Sequence, residues 1–137
     1  MENNKTIKQI KSNALVNMQD KVLIFSSSEK FIKKFTEIFE ENLTCLVKSK
    51  QNLDSLIPEL FFSKYHILYL DIDSAFHKLN EIFTEIKEGK NKSTETYFTV
   101  SKENSYKFEK LDLPKNVILR FLDGDEILDS EGRKYIY

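Results

Sequence analysis

Five short and nearly uninterrupted apolar runs punctuate this chain, and their spacing limits it to very few folds. They are KVLIF at Lys21–Phe25, LTCLV at 43–47, HILYL at 66–70, YFTV at 97–100 and NVILRFL at 116–122. Runs of this length, bounded by Ser, Asn, Asp or Gly, read as strands buried on both faces. Amphipathic segments separate them. Phe31, Ile32, Phe35, Ile38 and Phe39 form one stripe at helical spacing; Leu53, Leu56, Ile57, Leu60 and Phe61 form a second; Phe76, Leu79, Ile82, Phe83 and Ile86 form a third. Strands that alternate with helices imply right-handed crossovers and parallel pairing. The expected fold is therefore α/β: a doubly wound, five-stranded parallel sheet with helices on both faces.

Local signals set the expected boundaries. Ser28 is placed to cap the first helix, and Asn42 to stop it. Pro58 either starts or kinks the second helix. Ser74 is the expected cap of the third, which ends near Gly89; residues 91–94 read as a polar loop. Residues 106–111 are compatible with a short fourth helix. Residues 1–20 carry Ile7, Ile10, Ala14 and Met18 at steps of three and four. They read as a helix packed on the domain, a frayed tail or a dimerisation helix. The domain proper spans 21–128. Residues 129–137 are atypical: a turn at 129–132 with flanking strands gives a β-hairpin as readily as a helix, or a linker to a further segment. The closing Tyr-Ile-Tyr calls for a covering partner.

Composition narrows the function classes. Across 137 residues, 21 basic and 22 acidic side chains leave a net charge of -1, so no basic field draws in nucleic acid or an anionic membrane. No apolar run approaches the ~20 residues of a membrane span, and the polar N-terminus lacks a signal-peptide core. Lone Cys45 excludes an internal disulfide and a multi-cysteine zinc site. A cytoplasmic protein without metal or cofactor is the expectation. His66 and His77 lack the spacing of a shared-ligand pair on one helix. No phosphate-binding glycine loop or nucleophile elbow is present. The lysines at 33–34 and at 48 and 50 read as solvated surface.

In an open parallel sheet, sites form at the carboxyl ends of the strands. The polar residues expected there are Ser26, Ser27, Ser28, Asp71, Asp73, Ser101 and, near the end of the fifth strand, Arg120. From Lys21 to Leu128 this arrangement resembles the receiver domain of two-component response regulators. The steps from Ser27 to Asp71, Asp71 to Ser101 and Ser101 to Arg120 are 44, 30 and 19 positions. They match that family's intervals between acidic pair, phosphoacceptor Asp, hydroxyl residue and Lys, the last being slightly shorter. Residues 120–128 (RFLDGDEIL) are similar to the family's K-P-F-x-x-x-E-L segment. The resemblance implies that Asp71 is the acceptor position, Ser101 the hydroxyl and Arg120 the cation.

The departures decide what the resemblance implies about function. The acidic pair that holds Mg²⁺ in the family aligns with Ser26 and Ser27, and neutral hydroxyls replace two charges poorly. A planar guanidinium replaces the ammonium, and Phe121 replaces the Pro that follows it. Asp71 is thus expected to survive as a structural residue that caps the third helix or pairs with Arg120. A slowly phosphorylated site with Asp73 assisting a metal is the alternative. Residues 71–81 and 123–127 also resemble, faintly, two carboxylate segments of diguanylate cyclases, which offers a third and weaker reading as a degenerate nucleotide-binding domain. The leading expectation is not an enzyme but a phosphorylation-independent interaction module that docks a protein partner or a second copy. By analogy with the family its contact face includes Tyr106, Phe108 and Phe121, aromatic anchors of the kind interfaces favour.

Overall fold

The computed structural model describes residues 19–108 and 111–137. The stripe of Ile7, Ile10, Ala14 and Met18 lies outside the described residues. Strand β1 (Lys21–Phe25) leads to helix α1 (Glu29–Glu37), which continues through a π-helical turn (Ile38–Asn42). There follow β2 (Leu46–Lys50), α2 (Leu53–Phe62), β3 (Ile67–Asp71), two 3₁₀ turns (Ile72–Ser74 and Phe76–Lys78) and α3 (Leu79–Glu88). Then come β4 (Glu95–Ser101), a 3₁₀ stretch (Lys102–Phe108), β5 (Val117–Asp123), β6 (Glu126–Leu128) and β7 (Lys134–Tyr135).

All seven strands form one sheet in the order β2-β1-β3-β4-β5-β6-β7. The first five are parallel. β6 adds antiparallel to β5 and β7 antiparallel to β6, so the sheet has seven strands where five were expected. The C-terminal segment forms the hairpin and not the helix, because Gly132 takes φ 83 and Asp129 gathers the turn. Its carboxylate accepts from the Glu131 and Arg133 main-chain N–H groups, the Arg133 guanidinium and the Tyr135 hydroxyl.

The sheet separates two apolar cores. On one face α2 and α3 supply Leu56, Leu60, Ile82 and Ile86 against Leu23, Leu68, Leu70, Phe98 and Val100. On the other, Phe35 of α1 and Phe39 of the π turn pack on Val22, Ile24, Tyr69 and Tyr97. The alternating faces of each strand thus feed both cores, which is why these strands read as continuous apolar runs. Tyr69 lies at the centre of the α1 side, with the rings of Phe31, Phe35, Phe39, Tyr97 and Tyr137 all within 6.2 Å of its own.

Three sequence expectations shift. The second strand starts at Leu46 and not at Leu43, because Thr44 adopts a left-handed φ of 52 and turns the chain before pairing begins. Ser74 does not cap α3: its hydroxyl is bonded to Asp71, two 3₁₀ turns intervene, and the helix starts at Leu79 behind Lys78, which makes no side-chain cap. No fourth α-helix forms among the described residues; the chain after β4 takes the 3₁₀ stretch instead. Pro58 sits inside α2, whose cap is Asn52 accepting from the Ser55 N–H.

Candidate functional site

Beyond the carboxyl ends of β1 and β3 the expected residues do converge. Asp71 closes β3 and is only 8% exposed. Ser26, fully buried after β1, donates its hydroxyl to Asp71 Oδ2 at 2.6 Å. Ser74 Oγ donates to the same oxygen at 3.0 Å. The network runs outward from there: Ser27 Oγ lies 2.8 Å from Ser74 Oγ, and the Ser28 N–H donates to Ser26 Oγ. Burial pushes the Asp71 carboxyl above its ordinary value of 3.8, the two hydroxyl bonds offset part of that rise, and the nearby Asp73 charge adds to it.

Asp73 belongs to a second, adjoining network. Its Oδ2 accepts from the Ser101 N–H at 2.8 Å and its Oδ1 from Asn104 Nδ2 at 3.0 Å. Asn104 also donates to Ser101 Oγ. Asp73 therefore ties the turn after β3 to the end of β4. Sequence reasoning missed both Ser74 as a ligand of Asp71 and Asn104 as the bridge; a hydroxyl three positions after the buried carboxylate was the available signal for the first.

Arg120 does not join this site. It lies in register with Thr99 of β4, three residues before β5 ends. Its Nε donates to the Tyr137 main-chain O at 3.0 Å and its Nη1 to Leu119 O at 3.2 Å. The guanidinium stacks 3.8 Å from the Tyr135 ring centroid and 5.3 Å from that of Tyr97. The expected Asp71–Arg120 pairing is thus replaced: two serine hydroxyls hold the carboxylate, and the C-terminal tail holds the cation. Nor does Asp71 cap α3, whose start lies eight residues further on.

No family model, curated protein or solved structure matches this chain. Burial of the Asp71 carboxylate among neutral hydroxyls disfavours its charged form relative to an exposed carboxylate. Because its folded pKa lies above the unfolded one, the stability it contributes is full below pH 3.8 and is lost as pH rises through the folded value. The variant Asp71→Asn removes the buried charge and keeps an acceptor for both serines. It should raise stability at pH 7 by about 1 kcal/mol, or roughly 3 °C in Tm, and by less at pH 4. Thermal unfolding at the two pH values measures this.

The expected contact residues separate. Tyr106 is 62% exposed, Phe108 is buried beside Phe76, and Phe121 is half-buried. Phe108 and Phe121 line a cleft of about 580 Å³ with Leu119, Leu128, Lys102 and Glu131. The cleft lies on the α2–α3 side of the sheet, where among the described residues the 3₁₀ stretch and not an α-helix flanks β5. The two histidines are both exposed and apart from it; His66 Nδ1 accepts from the Lys21 N–H. Residues 123–126 form the β5–β6 turn, with Gly124 at φ 62. Among the described residues no helix is long and apolar enough to cross a membrane.

Proposed function

We propose that this chain is a receiver-like interaction module that works without phosphorylation. The observation that carries this reading is the occupancy of Asp71: both hydroxyls that approach it donate to one oxygen, and the cation at the receiver Lys position is committed to Tyr137. The parallel order β2-β1-β3-β4-β5, with helices packed on each face, supports a doubly wound ancestry of the receiver or flavodoxin type. The contact face would be the uncovered cleft between the 3₁₀ stretch and β5–β6, with Phe121 and Phe108 on its floor and Tyr106 beside it. Its occupant would be a protein partner or a second copy. Fold-level analogy joined to an apolar opening supports this reading.

The test is a ¹⁵N-¹H NMR titration with Mg²⁺ and then beryllofluoride as phosphoryl mimic. The amides of residues 26–28, 71–74 and 101 are expected to stay in place. Movement centred on Asp71 would mean that the pocket still accepts a phosphoryl group, and the weak-phosphoreceiver reading would take over.

A further inference from the structure

We propose that the outer margin of β2, unpaired among the described residues, accepts an extended, acidic segment of a partner protein as an added parallel or antiparallel strand. This inference stands apart from the receiver reading and from the cleft on β5–β6. Among the described residues β2 is the last strand on its side of the sheet and pairs only with β1. The Leu46 N–H donates to Asp20 O, and Lys50 O accepts from the Ser26 N–H. Main-chain groups alternate in direction along a strand, so those of Leu46, Lys48 and Lys50 face β1. Those of Val47 and Ser49 face outward, and no described residue pairs with them. Two N–H and two C=O groups are therefore presented in strand geometry, the arrangement that captures extended peptides by strand addition.

The side chains say which peptide. Lys48 and Lys50 project toward α2 and share a single carboxylate, Glu59, at 3.3 and 3.9 Å. That carboxylate is also bonded by the Tyr65 hydroxyl. Lys21 lines the same cleft, of about 230 Å³. Two ammonium groups thus share one carboxylate on this side, and the Lys21 ammonium lies 5.9 Å from the centroid of the neighbouring Tyr65 ring. On the opposite side Val47 packs into the α1 core, beside a cleft of about 680 Å³ between α1 and β2. An added strand would turn alternate side chains to these two sides. Those facing α2 meet lysines, so the complementary segment carries carboxylates at every second position. Self-pairing is disfavoured, because the two-fold register that uses all five residues of β2 sets Lys48 directly against its own copy.

The probe is a fluorescein-labelled peptide of alternating glutamate and threonine, followed by anisotropy on the full chain at low salt. It is expected to bind at least tenfold more tightly than the lysine-threonine counterpart, with affinity falling as salt rises. The variant Val47→Pro deletes an outward N–H and leaves the β1 ladder intact; it should weaken binding about tenfold. Lys48→Glu should do the same without touching the main chain, and decides the matter if the proline variant fails to fold. The proposal is overturned if the two peptides bind alike, if neither binds, if both variants bind like the parent, or if sedimentation shows β2 paired with a second copy.

Discussion

Replacing Asn91 by Ala should destabilise the protein by about 3 kcal/mol, near the upper end of single-site effects. Asn91 is 1% exposed, and all of its amide is engaged. Its Oδ1 accepts from the Tyr65 N–H at 2.8 Å and from Thr94 Oγ1 at 3.1 Å. Its Nδ2 donates to Leu60 O at 3.2 Å and to Ser63 O at 2.9 Å. One side chain thus joins the end of α2, the approach to β3 and the entry to β4. Truncation strands several buried polar groups at once, each with a desolvation penalty of about 1–3 kcal/mol that partial rearrangement relieves. Asn91→Asp should not rescue it, because a carboxylate cannot donate to the two carbonyl groups. Urea unfolding of the three proteins tests the argument; a loss below about 1 kcal/mol for the Ala variant would show that the network is dispensable.

The second large effect has the opposite sign. Tyr69 is fully buried, and its hydroxyl has no hydrogen-bond partner among the described residues. Burial pushes its phenol well above the ordinary value of 10.0, so it stays neutral and holds an unused donor in an apolar setting. Tyr69→Phe keeps the ring and its contacts with Phe35, Phe39, Tyr97 and Tyr137. It removes only the stranded hydroxyl, which should stabilise the fold by about 2 kcal/mol. A Tm several degrees higher is expected; a lower one would mean that the hydroxyl is paired in solution.

Much of the architecture was legible because the relevant forces are local. KVLIF coincides with β1 from end to end, and the stripe of Phe31, Phe35 and Phe39 gives the α1 side of the core. LTCLV misled because it sits at the sheet margin, where Leu43 and Leu46 are exposed and apolarity no longer reports burial. At the site, spacing placed Asp71 and Ser26 together correctly. It could not choose the partner of Arg120, since Tyr135 and Tyr137 compete for that cation through a hairpin whose turn depends on Asp129. Ser74 carried a valid capping signal, but a buried carboxylate nearby was the stronger claimant. The saturation of Asn91 and the isolation of the Tyr69 hydroxyl are tertiary facts with no sequence pattern of their own.

The ring of Tyr137 touches Phe39, Tyr69 and Tyr97, and Arg120 grips its main chain. One of the two cores is therefore sealed by a residue far along the chain from the helix that it meets. During synthesis the α2–α3 side can assemble from neighbouring segments as they emerge from the ribosome. The α1 side must wait, its aromatic surface open, until the hairpin has been released and closes a loop spanning most of the chain. Contacts of such long range slow folding and lengthen the exposure of sticky surface, so a nascent chain paused before Tyr135 would be the species most in need of a chaperone.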